Sequence, residues 1–356
     1  MTTTHTAPRT QELSEGALGV ALVHIERGDT ASAHASLARA VADGVSTGAN
    51  ASLFHGAPAL EFVLGRTGHT RPDVRAAVDR VVAARLAAAH RRQAFGALPH
   101  LEEFELIRGL TGLGALLLAR DDANPLLHDV LVYLVGLARP VRVGDRELPG
   151  WWSTAGPHGE AMDGGHGNNG LAHGIGGPLA LLSLAARRGD RVPGQHEAIQ
   201  VFARWLEAHG GHYWTTIDHL GTPGPPSAPP VRPSWCYGRP GIARAQQLAA
   251  LALDDPHRRL AAEDALLRAL TDPASLGRVT DASLCHGWAG LVSVARAVAD
   301  DSPAPARFAP LISDLASRLA ATAEDLPKPG FMEGRAGAHL AMGTDTTGWT
   351  RALLIT

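Results

Sequence analysis

Cysteine is nearly absent from this chain of 356 residues, which holds two, Cys236 and Cys285. Two cysteines cannot make a disulfide framework, so a buried core must hold the fold, and the length is ample for one. Lysine is scarcer still: Lys328 stands alone, a bias that reads as genomic base composition and carries no mechanism. An excess of one charge is lacking as well. Lys and Arg number 32 against 35 Asp and Glu, for a formal net charge of −3 and an isoelectric point near 6.6. That balance argues against nucleic acid or an acidic membrane as the main partner. Apolar runs are short and broken by Gly, Arg or His, so no membrane span is expected. The opening "MTTTHTAPRTQ" has no cationic, apolar leader and reads as a polar, frayed terminus over residues 1–11, followed by one domain over 12–356. A cytoplasmic location is therefore expected. In that compartment two cysteines read as metal ligands or reactive thiols rather than a disulfide.

What the chain has in abundance is glycine, 40 residues of it, in a repeated phrase. "EGALGVAL", "HGAPALEFVL", "RGLTGLGALLL", "HGIGGPLALL", "YGRPGIARAQQL", "HGWAGLVSVARAVA" and "EGRAGAHLAM" begin their glycines at Gly16, Gly56, Gly109, Gly174, Gly238, Gly287 and Gly334. Three positions on stand Gly19, Ala59, Gly112, Gly177, Gly241, Gly290 and Gly337. Such self-similarity at intervals of 40–65 residues signals a repeat architecture. Each phrase reads as a helix start: glycine tolerates the backbone of a loop turning into a helix, and small residues at i and i+3 let helices approach closely. The apolar run behind each phrase predicts a buried helix, and the more polar stretches between, such as residues 71–93, predict amphipathic ones. Seven of each predict an all-α fold, an α/α toroid of about seven helical hairpins, with an open solenoid as the alternative. In a toroid all seven phrases meet at one mouth. The stretch 139–170 is too long for a simple connection and is a candidate lining of that mouth.

Both cysteines lie inside these phrases, in "SWCYGRPG" and "LCHGWAG". If the phrases converge, Cys236, Cys285 and His286 become neighbours. Two thiolates and one imidazole describe a zinc site with one position open for water or substrate. Such a site carries no net charge, so a bound external thiol would lose its proton yet stay electron-rich, which suits sulfur nucleophiles better than carbonyl polarisation. A disulfide or two unrelated buried cysteines are the bland alternatives. His173 occupies the place before its glycine, as His286 does, and is a candidate proton carrier. Arg232, four before Cys236, is a candidate for holding an oxyanion. Glu105, four before Gly109, could orient His173. His55, His158, His166 and His212 have no informative spacing.

The phrases "RPSWCYGRPG", "LCHGWAG" and "NNGLAHGIGG", with the other glycine phrases, resemble the lanthionine synthetase C-like family over residues 14–337. That resemblance implies an α/α toroid with one zinc ion at its mouth. It implies Cys236, Cys285 and His286 as zinc ligands, His173 as acid/base and Arg232 as the active-site arginine. Tyr237 and Asn168 match further family positions. Glu105 stands where the family usually has aspartate, keeping the charge on a longer arm. The implied activity is that of a stand-alone cyclase adding peptide cysteine thiolates to dehydroalanine or dehydrobutyrine, giving lanthionine or methyllanthionine rings. Its implied partners are a dehydrated precursor peptide and a separate dehydratase. No stretch reads as an inserted β-patterned peptide-binding domain. Two other readings remain: zinc-dependent thiol alkylation of another kind, by glutathione addition or prenyl transfer, and a non-catalytic scaffold. Aromatics at 5% of residues are sparse for a prenyl cavity, although Trp151, Trp152, Trp214, Trp235 and Trp288 are available to line one.

Overall fold

The computed structural model of the chain describes residues 10–120, 122, 124–156, 159–220, 232–343 and 348–356. Each glycine phrase opens a helix: α1 (Ala17–Glu26), α3 (Ala57–Gly65), α6 (Leu110–Leu118), α8 (Gly176–Arg188), α10 (Arg239–Ala252), α13 (Trp288–Asp300) and α15 (Arg335–Met342). Between them run α2 (Thr30–Val41), α4 (Pro72–Ala94), α7 (Pro125–Gly136), α9 (Gln195–His209), α11 (Pro256–Thr271) and α14 (Ala309–Thr322). Two single turns, α5 (Leu101–Phe104) and α12 (Pro273–Leu276), complete the helices. The first set packs in sequence order, and α15 returns to α1, so the ring is closed and the solenoid alternative is excluded. Apolar side chains bury nearly the whole length of these inner helices, whereas the outer ones bury a single stripe.

The two sets start differently. Outer helices α2, α7 and α11 are capped by Asp29, Asn124 and Asp255, whose side chains accept amide hydrogen bonds in the first turn. Inner helices begin on glycine with no side-chain cap. Their preceding loop folds back instead. Gly241 N–H donates to Ser234 O and Gly290 N–H to Ser283 O, both at 3.3 Å. This return brings the carbonyl six residues earlier onto the second glycine of the phrase. A Cβ on Gly19, Gly112, Gly177, Gly241, Gly290 or Gly337 would overlap that oxygen. The glycines thus make room for the chain's own loop more than for a neighbouring helix. Nor do the leading glycines need unusual angles. Gly16, Gly109, Gly238, Gly287 and Gly334 are extended with negative φ, and Gly56 alone is left-handed, at +70°. At that second phrase the loop closes on itself through reciprocal Ser52–His55 backbone bonds, and Ala59 is accommodated.

The loops are also bonded to one another around the mouth. Leu106 N–H donates to Ala172 O, Ala172 to Cys236 O, Cys236 to Cys285 O, Cys285 to Met332 O and Met332 to Ser14 O.

Three features depart from the helical expectation. Among the described residues no outer helix follows α15; the chain enters a 3-10 segment, Gly348–Leu353, that packs on α6. Its backbone is anchored from inside, by Trp235 Nε1–H to Leu353 O at 3.0 Å and Arg244 Nε–H to Ile355 O at 2.8 Å. Residues 139–170 are largely β structure: a hairpin of β1 (Val141–Val143) and β2 (Arg146–Leu148), then β3 (Ser153–Ala155) and β4 (Ala161–Asn168). β4 pairs antiparallel with β3 and with β5 (Trp214–Thr216), in the order β3-β4-β5. Finally, the expected frayed terminus lies outside the described residues up to residue 9, and Gln11 is fastened by its side chain to Gly44 and Ser46. No described helix is long and apolar enough to cross a membrane.

Candidate metal centre

The loops before α10 and α13 bring Cys236, Cys285 and His286 together, with one donor atom from each within 4.8 Å of the others. Cys236 is buried, Cys285 and His286 partly so. The two sulfurs share a proton unequally. Cys236 accepts a hydrogen bond from Cys285, which outweighs the effect of burial and draws its thiol well below the ordinary range, while Cys285 is pushed up by making that bond. Ser234 helps. Its Oγ accepts amides from Gly238 at 2.8 Å and Tyr237 at 3.3 Å and lies 3.6 Å from Cys236 Sγ, a contact that works to lower the pKa of that thiol.

His286 is oriented from behind by Asp281, with Nε2 3.3 Å from Oδ2. The other oxygen of Asp281 accepts the Ser283 amide at 2.8 Å. A carboxylate at Nε2 favours the proton there and leaves Nδ1 as the nitrogen free to act as a ligand. The same contact raises the pKa of His286, whereas the bonds to His286 and Ser283 pull Asp281 down despite its burial. Gly287 keeps the space for it, since a Cβ there would overlap Asp281 Oδ1. Two soft sulfurs and an oriented imidazole, partly screened from water, fit zinc by donor chemistry.

His173 lies alongside. Its Nδ1 is 2.6 Å from Oε2 of Glu105, a carboxylate only 1% exposed. Oε1 of Glu105 accepts the amides of Arg108 and Gly109. Burial works to lower the pKa of His173, but the hydrogen bond and charge of Glu105 win and raise it. The His173 ring stacks on Tyr237, centroids 5.7 Å apart. The Tyr237 hydroxyl accepts from Asn168 Nδ2 at 3.3 Å, and Asn168 Oδ1 accepts the Gly170 amide at 3.1 Å. Gly170 is constrained in turn: a Cβ would meet Cys236 O and the Tyr237 ring at 2.8 Å. Arg232 has no direct hydrogen bond among the described residues, yet its positive charge works to lower the pKa of both Cys285 and His286. All eight candidate residues therefore gather at one mouth.

A protein-family comparison matches residues 7–344 to the lanthionine synthetase C-like protein family. The chain belongs to that family. Among solved structures this LanC-like chain is similar to a nisin cyclase, with a TM-score of 0.79 at 20% identity, covering 98% of this chain and 93% of that one. The likeness establishes the α/α toroid fold. No curated protein matches the sequence.

Sequence reasoning about the LanC-like site missed Asp281, Ser234 and Tyr213, whose ring lies 5.1 Å from that of Tyr237. Asp281 and Ser234 stand two to five residues from the ligands they touch, but nothing in their spacing separates them from loop-capping residues. His166, set aside, is fully buried with Nε2 3.5 Å from Asn168 Nδ2. His212 stacks on His219, His55 bonds Asn50, and His158 lies outside the described residues. Of the five tryptophans considered as lining, Trp151, Trp152, Trp235 and Trp288 are core residues, and Trp214 alone is exposed.

Proposed function

We propose that the protein is a zinc-dependent lanthipeptide cyclase, adding a peptide cysteine across the double bond of dehydroalanine or dehydrobutyrine. The observation that carries this reading is the convergence of Cys236, Cys285 and His286 beside the His173–Glu105 pair. Held by those three residues, zinc would supply a Lewis-acidic position that lowers the pKa of a peptide thiol. The chain's own residues account for the rest. A Sγ–Cβ bond forms as the C=C π bond breaks, and negative charge moves to the acceptor's carbonyl oxygen. Arg232 offers a fixed positive charge for that oxygen. The thiol's own proton leaves to solvent, and His173, whose protonated form Glu105 favours, donates one to the α-carbon, so the adduct is neutral. Glu105 cannot swing away, because backbone amides hold its second oxygen. Tyr237 and Asn168 hold the flank of His173. The dehydrated peptide is the substrate in this reading, a separate dehydratase its supplier, and the cytoplasm its place.

The test uses a peptide bearing one cysteine and one dehydroalanine. Wild-type protein should consume the free thiol with no change of peptide mass, whereas glutathione addition or prenyl transfer adds mass. Cys236→Ala should lose zinc and slow ring formation at least about a hundredfold while circular dichroism stays helical. Undiminished ring formation by folded, metal-free protein overturns the zinc mechanism.

A further inference from the structure

The chain has three tyrosines, and two of them, Tyr213 and Tyr237, meet beside the metal ligands with ring centroids 5.1 Å apart. Trp214 stands edge-on to Tyr237 at 6.5 Å. The sheet explains how it gets there. Trp214 lies opposite Asn168 in the β4–β5 ladder, so both side chains leave the sheet on the same face. Asn168 reaches the Tyr237 hydroxyl from that face, and Trp214 reaches the ring.

Trp214 keeps 38% of its surface open, while Trp151, Trp152, Trp235, Trp288 and Trp349 are almost wholly covered. A sequence sparing with aromatics has thus placed an uncovered indole against the one tyrosine that adjoins both Cys236 and His173. Tyr213 packs against both rings, its centroid 5.1 Å from Tyr237 and 6.1 Å from Trp214. The three rings meet at angles, Tyr213 tilted 46° to Tyr237 and 55° to Trp214 and Trp214 at 86° to Tyr237, so together they make an uncharged aromatic corner beside the site.

We propose that Tyr213, Trp214 and Tyr237 form a stacking subsite that selects the planar dehydro residue of the substrate peptide over its unreacted serine or threonine precursor. A dehydro residue is a flat conjugated alkene–amide with no hydroxyl to solvate. Such a group presents π faces and polarised edges to aromatic rings at offset or edge-on geometry. Serine and threonine are tetrahedral at the α-carbon and would keep a hydroxyl against an apolar wall, which costs a hydrogen bond to water. The subsite would hold the acceptor's β-carbon toward the sulfur position and its α-carbon toward His173. It rests on the cyclase reading given above.

Two synthetic peptides test it: one with dehydroalanine and with alanine replacing the reacting cysteine, and its serine counterpart. Binding to zinc-loaded full-length protein is measured by calorimetry, after circular dichroism and metal content show Trp214→Ala to be folded and loaded. We expect wild type to prefer the dehydroalanine peptide. Trp214→Ala should weaken that peptide about tenfold and the serine peptide less than about twofold, and Trp214→Phe should restore most of the preference. An equal loss for both peptides, or none for either, overturns the subsite while ring formation by wild type leaves the cyclase reading standing. Wild-type protein that forms no ring from the cysteine-containing peptide overturns both.

Discussion

Glu105 divides its two oxygens between a histidine and a pair of backbone amides, and its contact with His173 favours the protonated imidazole. The pKa of His173 is raised, so its proton-donating form persists above the ordinary histidine range and disappears as pH climbs through the raised value. In Glu105→Gln the charge and the strong hydrogen bond go, and burial remains to press the pKa down. The alkaline limb of the rate–pH profile should therefore move to lower pH, with the rate at pH 8 falling about tenfold or more. An unmoved limb would show that His173 is not the group titrating. Glu105 was legible in the sequence through its place before the third glycine phrase, and its longer arm still reaches the imidazole. Asp281 was not legible. Its closeness to His286 depends on the loop folding back to the helix start, which no spacing rule conveys.

At the scale of the helix, the glycine three positions after the first in six of the seven phrases is demanded by a carbonyl rather than by backbone angles. Gly241→Ala would press a methyl onto Trp235 O, directly beneath Cys236, and should cost about 1–3 kcal/mol. Ala59→Gly, at the one phrase that carries alanine there, should cost at most about 1 kcal/mol, the ordinary entropy of a helical glycine. Thermal unfolding of the two variants compares them, and a Gly241→Ala protein as stable as Ala59→Gly would refute the close-approach account. The same requirement explains why the inner helices could be read from sequence: a local steric demand recurs wherever the fold recurs. The strands could not. β3 and β5 have three residues each, and β4 carries Gly164 and Gly165 at φ +70°, so no alternation announces a sheet. The segment expected to line the mouth does so through Asn168, at the end of β4.

Over the whole molecule, the seven hairpins were legible in the count of phrases, which fits a solenoid as well as a ring; closure shows in the packing of α15 on α1, and what fills the interior was not legible either. Trp349, Leu353 and Ile355 are buried there, and no repeat marks them. The loop-to-loop hydrogen bonds make the mouth a cooperative unit. Amides of Ala172, Cys236, Cys285 and Met332 lie in irregular loops, yet each is a donor to a neighbouring loop. Hydrogen exchange at these four should be slower than at the β1–β2 turn around Gly144 by about a thousandfold, since exposure requires the ring to open. Exchange as fast as at that turn would mean that the mouth opens locally.

Cys236 and Cys285 sit on consecutive hairpins whose backbones bond to each other directly, Cys236 N–H to Cys285 O. The gap between the sulfurs is therefore one rung of a seam, independent of how many rungs complete the circle. A wheel built with one spoke more or fewer would change its bore and leave the two sulfurs at the same separation.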